Sequence, residues 1–247
     1  MHHEAAAIAE RFQVAAMPRQ LPDLPGIEFN ALYEPATSLL VGGDWYDVFH
    51  LPDGRIGISV GDVSGHGIEA AVVMQRVKNA LHTALIVNPN LSNALRAADY
   101  ILRNDSMYGS EVDAFCTASL AILDPNVMTL MVAPAGHPGP KIWNPSTGEV
   151  IDPFTERALP LGLRHLCPSD VQQSIRLEEE SFAAFYTDGL VEWEYDFLDG
   201  ERHLEEAISR LEIRNATNPA AAIRNAVIRG VAHDDVAVLT CKVLRAP

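Results

Sequence analysis

The chain has 247 residues, of which 18 are basic and 33 acidic, giving a formal net charge of −15 at pH 7. Hydrophobic residues make up 48% and charged residues 21% of the composition, which indicates a folded chain with a substantial core and argues against general disorder. The acidic balance argues against binding to nucleic acids or anionic membranes. No apolar stretch approaches the ~18 residues that a membrane-spanning helix needs.

The first predicted element is an N-terminal helix over residues 4–17, which is rich in alanine and ends at Pro18. A Pro-rich connector over residues 21–26 follows it. We therefore predict an N-terminal helix and linker over residues 1–20 and one domain over residues 21–247. Two interpretations of the helix remain open: a junction to an upstream sensor domain, or a terminal helix packed on its own domain.

The rest of the chain alternates between short β-like runs and helical segments. Strands are predicted within residues 27–63, with a hairpin turn at Asp53-Gly54, and helices over about 68–86 and 91–102. Two more hairpins are centred near residues 125 and 146, and strands over 171–177 and 181–189 follow. Helices over about 201–213 and 219–230 precede a buried final strand. Because hairpins outnumber βαβ units, we predict an α+β layered sandwich of mainly antiparallel sheets with helices on the outer faces.

The three cysteines, Cys116, Cys167 and Cys241, are widely spaced and form no CxxC pair. Two of them lie in apolar, strand-like runs. This pattern is typical of buried free thiols and predicts a reducing, cytoplasmic location.

Aspartates next to glycine or to each other occur where the chain enters or leaves hydrophobic runs. They are Asp44 in GGDWYD, Asp62 in GDVSGHG, Asp188 in YTDG, and the pair Asp234-Asp235 before the last strand; Asp47 ends the first of these motifs. If these carboxylates converge, their repulsion requires compensation, and hard divalent cations such as Mg²⁺ or Mn²⁺ suit oxygen ligands. The alternative for each residue is a turn or helix-cap role, since spacing alone does not demonstrate convergence.

Six segments, in order along the chain, resemble the motifs of the PPM-type metal-dependent serine/threonine phosphatases: GGDWYD, GDVSGHG, PAGHPGP, LPLG, YTDG and DDVAVL. The similarity is greatest to the bacterial branch typified by RsbU and SpoIIE, and it spans about residues 19–245. It implies an αββα sandwich of two antiparallel sheets that binds two Mn²⁺ or Mg²⁺ ions. It also implies an enzyme in which a metal-activated water attacks phosphoserine or phosphothreonine.

Carried over residue by residue, the resemblance assigns the catalytic metal ligands. They are Asp44, Asp62, the backbone carbonyl of Val63, Asp188 and Asp234, with Asp235 as the alternative to Asp234. Asp47, His66 and Gly189 are further candidates in the same motifs, and His66 is either a general acid or a turn residue. His137, in the segment PAGH, is expected to be structural.

The resemblance also implies a substrate, a phosphorylated STAS-type anti-sigma-factor antagonist in a bacterial stress or sigma-factor pathway. In this branch a helix before the catalytic domain often relays a signal from a sensor domain or activator, frequently by dimerising, so residues 4–17 are a candidate homodimer contact. Two other functions remain open: a catalytically silent docking module of the same fold, and a phosphatase of small phosphate esters. The intact set of aspartates favours an enzyme over a silent module.

Overall fold

The computed structural model describes residues 16–36, 42–104, 115–154, 158–167, 170–193 and 197–245. The strands are β1 Ile27–Glu34, β2 Trp45–His50, β3 Ile56–Val63, β4 Cys116–Asp124, β5 Thr129–Ala135, β6 Lys141–Asn144, β7 Glu149–Ile151, β8 Gln173–Arg176, β9 Phe182–Tyr186 and β10 Val236–Val243. The helices are α1 Ile68–Val87, α2 Leu91–Arg103, α3 Phe197–Ser209, α4 Leu211–Arg214 and α5 Pro219–Val227. The predicted helix over residues 4–17 lies outside the described residues, apart from its last two positions.

The strands form two five-stranded sheets. The first has the order β1-β10-β9-β6-β7 and the second the order β2-β3-β4-β5-β8, and all the pairings between these neighbours are antiparallel. Helices α1 and α2 pack on the second sheet, whereas α3 and α5 pack on the first. The predicted α+β sandwich of two antiparallel sheets between helices is therefore confirmed.

The central strand β9 shows how the sequence builds these layers. Successive side chains of a strand point to opposite faces. Ala183 and Phe185 accordingly join the core between the sheets, whereas Phe182, Ala184 and Tyr186 join a second core beneath α3 and α5. Because both faces are covered, the strand is a continuous apolar run, and its end is held firmly at the edge of the sandwich.

Two predicted helices have different bounds in the structure. The helix predicted over about 219–230 ends at Val227. The sequence predicted a helix over about 201–213, but α3 begins at Phe197 and a break at Arg210 separates it from α4. Glycine disfavours helix interiors, yet Gly200 lies inside α3. In the structure Gly200 lies against Val191, whose carbonyl oxygen would be 1.8 Å from an added Cβ. The helix therefore includes the glycine in order to pack closely.

Two further sequence predictions concern the cysteines and the membrane. Cys116 and Cys241 are buried and Cys167 is exposed, and all three are free thiols, as the apolar context of two of them predicted. In the described part of the chain, none of the helices combines the length and apolar character needed to cross a bilayer.

Candidate metal centre

Strand pairing brings the first two predicted ligands together. In the β2–β3 hairpin Trp45 pairs with Gly61, so Asp44 and Asp62 lie at the same end of neighbouring strands. Asp188 follows β9 of the other sheet and reaches the same end of the sandwich. Carboxylate oxygens of these three aspartates all lie within 4.8 Å of one another. The structure thus unites residues that are 144 positions apart in the chain, from Asp44 to Asp188.

A glycine permits the close approach of these segments. A Cβ on Gly43 would lie 2.6 Å from the carbonyl oxygen of Val63 and 2.9 Å from Oδ1 of Asp62, closer than a real side chain allows. The backbone before Asp44 therefore passes directly over the end of β3. The Val63 carbonyl, which the sequence predicted as a ligand, lies beside the Asp62 carboxylate.

The cluster is electrostatically unfavourable without a cation. Asp44 is buried, and its Oδ2 atom has no hydrogen-bond partner among the described residues. Burial, and then the charges of Asp62 and Asp188, hold the pKa of Asp44 well above its usual range. Burial, followed by the charge of Asp188, raises the pKa of Asp62 to about 7. Burial, followed by the charges of Glu192 and Asp234, raises the pKa of Asp188 to about 6. An unpartnered buried oxygen and an all-oxygen donor set fit Mg²⁺ or Mn²⁺.

Of the two adjacent aspartates just before β10, one is exposed and the other is buried. Asp234 is exposed, and its Oδ1 atom accepts a hydrogen bond from the backbone N–H of Asp235 at 2.8 Å. Its charge contributes to the raised pKa of Asp62 and Asp188, which places it near the cluster. Asp235 is buried and accepts hydrogen bonds from the hydroxyl of Tyr33 and the backbone N–H of Ala36. Within the described ranges, the set of oxygens within 4.8 Å includes neither residue.

Two of the remaining candidates lie outside that set of carboxylates. Asp47 is buried against α1, where it lies 2.7 Å from Nδ1 of His82 and 3.9 Å from Nζ of Lys78. His66 is exposed on the turn before α1. Gly189 directly follows Asp188 and lies against the backbone of Asp235.

Two buried residues next to the site, Thr187 and His137, were not assigned to it from the sequence. Thr187 is fully buried, its hydroxyl accepts a hydrogen bond from the backbone N–H of Ala237 at 2.9 Å, and its side chain opposes the rise in the pKa of Asp44. His137 joins the two sheets: Nε2 donates to the carbonyl of Tyr186 at 2.9 Å, and Nδ1 lies 2.8 Å from the hydroxyl of Thr117. Their place in the motifs could have indicated them, because Thr187 directly precedes Asp188 in YTDG and His137 ends the segment PAGH.

A family model described as Stage II sporulation protein E (SpoIIE) matches residues 52–244. The chain belongs to the SpoIIE family. This match confirms the resemblance that the six sequence motifs carried.

Among curated proteins, the SpoIIE-family chain is 43% identical over 65 residues to protein IcfG of Synechocystis, an alignment that covers 26% of the chain. It is 23% identical over 174 residues to the phosphoserine phosphatase RsbP of Bacillus subtilis, covering 67% of the chain. These alignments span only 10% of IcfG and 40% of RsbP.

Solved structures share the fold over nearly the whole chain. The structure of the RsbU and RsbW domains of Rv1364c from Mycobacterium tuberculosis has a TM-score of 0.73 and 26% identity, covering 92% of this chain and 64% of that one. The SiaA-PP2C domain of Pseudomonas aeruginosa has a TM-score of 0.76 and 21% identity, covering 97% and 96%. The catalytic domain of the phosphatase PstP, in complex with two manganese ions, has a TM-score of 0.64 and 15% identity, covering 89% and 99%. The fold of this SpoIIE-family chain is thus that of PP2C-type phosphatase domains.

Proposed function

We propose that the chain is a Mn²⁺- or Mg²⁺-dependent phosphatase domain that hydrolyses phosphoserine and phosphothreonine in proteins. The observation that carries this proposal is the convergence of Asp44, Asp62 and Asp188 from two sheets, with oxygens within 4.8 Å. A fold that needed these residues only as turn caps would gain nothing from bringing three carboxylates together, because the charges of Asp62 and Asp188 raise the pKa of Asp44 and the charge of Asp188 raises the pKa of Asp62. Membership of the SpoIIE family and the name of RsbP as a phosphoserine phosphatase support the same activity.

The residues that would hold the ions are the three clustered aspartates together with the Val63 carbonyl and Asp234. When bound, two divalent cations would lower the pKa of a water and neutralise charge on the phosphoryl oxygens. The protein supplies the fixed geometry: Gly43 allows the two strand ends to approach, and His137 ties the sheets that bear the two halves of the site. Neither Asp47 nor His66 has an assigned role in this proposal.

The proposed substrate is a phosphorylated STAS-type anti-sigma-factor antagonist in a bacterial stress or sigma-factor pathway. The support is family membership and the 26% identity to a chain that carries an RsbU domain beside an RsbW domain. Relative rates on such a phosphoprotein and on free phosphorylated metabolites test this assignment. Faster turnover of the metabolites would instead favour a phosphatase of small phosphate esters.

The activity is tested by hydrolysis of p-nitrophenyl phosphate in Mn²⁺, in EDTA, and in Mn²⁺ with Asp188→Asn. The matched control is Asp170→Asn, an exposed aspartate that pairs with Arg96 on the surface. We expect hydrolysis that requires Mn²⁺, collapses in the Asp188 variant and persists in the control. Activity that survives both EDTA and Asp188→Asn would overturn the site. An inactive chain that also binds no Mn²⁺ would favour the silent docking module.

We also propose that residues 1–20 link the phosphatase domain of residues 21–247 to an upstream sensor domain or activator, with residues 4–17 as a homodimer contact. The described end of this segment is anchored, because Ala16 and Met17 are buried and the ammonium of Lys78 donates to the Ala16 carbonyl. Deleting residues 1–15 keeps this anchor and should change the oligomeric state by light scattering or the phosphatase rate. If neither changes, the linker role is wrong.

A further inference from the structure

We propose that Asp235 is a positioning residue, whose buried carboxylate and backbone hold together the two chain segments that present Asp44 and Asp188. This inference rests on the metal centre proposed above, and it assigns different roles to the two adjacent aspartates. Asp234 remains the ligand candidate, whereas Asp235 serves the site through the segments that it contacts.

Both oxygens of Asp235 are used inside the protein. Oδ2 accepts from the hydroxyl of Tyr33 at 2.8 Å, and Oδ1 accepts from the backbone N–H of Ala36 at 2.7 Å. The residue is only 1% exposed. If Asp235 turned towards a cation, it would abandon the buried N–H of Ala36, and an unpaired buried donor is costly. Its hydrogen bonds therefore oppose a role as ligand.

The same carboxylate also lies against the chain just before Asp44. A Cβ on Gly42 would be 1.1 Å from Oδ2 of Asp235, so the carboxylate occupies the space that any side chain at this position would need. Ala36 and Gly42 thus both meet Asp235, one by a hydrogen bond and the other by direct packing. The path of the backbone into Gly43 and Asp44 is consequently set by Asp235, the residue directly before β10.

The backbone of Asp235 contacts the chain just after Asp188 in a similar way. A Cβ on Gly189 would be 2.1 Å from its carbonyl oxygen, so the residue directly after Asp188 packs flat on Asp235. One residue therefore touches the neighbours of two clustered carboxylates. A shift of Asp235 changes the distance between Asp44 and Asp188, and that distance governs cation affinity.

The orientation of the adjacent carboxylates agrees with this division. Asp234 is exposed, and among the described residues its Oδ1 atom accepts a hydrogen bond from the backbone N–H of the adjacent Asp235. Its charge acts on Asp62 and Asp188. Asp234 can therefore turn to a cation without breaking a buried hydrogen bond to another element, which Asp235 cannot do.

The test measures Mn²⁺ binding to the full chain by calorimetry and by electron paramagnetic resonance, so it does not depend on phosphatase activity. The variants are Asp235→Ala, Asp235→Asn, Tyr33→Phe and Asp234→Asn. We expect Asp235→Ala to keep the number of bound Mn²⁺ ions and to weaken affinity roughly 10–100-fold, the usual range for residues that support metal ligands. Asp235→Asn should restore most of the affinity, because its amide oxygen can accept from Ala36 and its NH₂ can donate to the Tyr33 oxygen. Asp234→Asn should reduce the number of ions bound.

A comparison of Tyr33→Phe alone and combined with Asp235→Asn tests the same contact without Asp235→Ala, which could fold poorly. Tyr33→Phe should weaken Mn²⁺ binding in both the wild-type and the Asp235→Asn background, because each background retains a hydrogen bond between residue 235 and the Tyr33 hydroxyl. The inference is overturned if Asp235→Asn loses an ion as Asp234→Asn does, since Asp235 would then be a ligand. It is also overturned if Asp235→Ala and Tyr33→Phe bind Mn²⁺ as tightly as the wild type. A wild-type chain that binds no Mn²⁺ would instead refute the proposed metal centre, and this inference with it.

Discussion

Replacing Asp188 by asparagine should have opposite effects on stability without and with a divalent cation. Folding brings the carboxylates of Asp188 and Asp62 within 4.8 Å. At about pH 8 both are charged, because burial and the charges of neighbouring carboxylates place the pKa of Asp188 at about 6 and that of Asp62 at about 7. The asparagine removes one charge and keeps an oxygen that can accept the hydrogen bonds from the local backbone N–H groups.

The size of this change in stability follows from the distance between the two carboxylates. Two unit charges 4.8 Å apart, the upper limit of the separations in the cluster, repel by about 3.5 kcal/mol at an effective dielectric constant of ~20. Allowing for relaxation, we expect Asp188→Asn to raise the free energy of unfolding of the metal-free protein by about 1–3 kcal/mol. In a chain of this size each kcal/mol corresponds to about 2–4 °C in Tm. Saturating Mn²⁺ should reverse the order, because a cation at about 100 times its Kd stabilises the wild type by about 2.7 kcal/mol and the variant by less.

The assay is thermal unfolding of both proteins in EDTA and in Mn²⁺ at about pH 8, with Asp170→Asn as the surface control. The control should move Tm by little in either condition, because its ion pair with Arg96 is exposed. If Asp188→Asn lowers Tm in EDTA, repulsion within the cluster does not govern the stability of the metal-free form. An equal Mn²⁺-induced shift in variant and wild type would show that Asp188 does not bind the cation.

Three further outcomes are expected. In EDTA the free energy of unfolding should fall as pH rises from about 4 through about 7, because the raised pKa values of about 6 and about 7 mean that the folded state retains protons that the unfolded state has released. Mn²⁺ should reverse that slope, since metal ligands bind in their deprotonated form. A free energy of unfolding that does not change with pH, measured by urea denaturation in EDTA, would contradict the expected fall. Gly43→Ala should cost about 1–3 kcal/mol and weaken Mn²⁺ binding, because its methyl group would overlap the Val63 carbonyl; calorimetry showing wild-type affinity would argue against the close approach. His137→Ala should destabilise the protein by about 1–3 kcal/mol in urea, because it removes the hydrogen bond from His137 to the buried Tyr186 carbonyl. An unchanged midpoint would exclude a role for that bond.

The order and type of the elements could be predicted because the local patterns are strong. Alternation in Phe182–Tyr186 gave β9, and Asp53-Gly54 correctly marked the β2–β3 turn. The start of α3 could not be predicted from local preference, because Gly200 lies inside the helix for a packing reason, its contact with the Val191 backbone. Such a contact joins separate elements, and the glycine itself carries no sign of it.

The site could be predicted as a set of residues, but not as an arrangement. The motifs singled out Asp44, Asp62 and Asp188, yet their convergence depends on two sheets meeting at one end. The sequence also left Asp234 and Asp235 as alternatives, because two adjacent carboxylates in a motif carry no information about which is buried. Burial of Asp235 and its hydrogen bonds from Tyr33 and Ala36, each about two hundred residues away, distinguish the two.

The carboxylate cluster straddles the seam between the sheets, and this has a consequence for the order of events in folding. Asp44 and Asp62 belong to the end of one sheet, and Asp188 follows a strand of the other. A chain in which only one sheet had formed would offer an incomplete set of oxygens. A cation bound across the seam should therefore slow unfolding, and leave the refolding rate unchanged if the sheets dock after the rate-limiting barrier. Refolding kinetics in Mn²⁺ would then report when the two halves of the molecule come together.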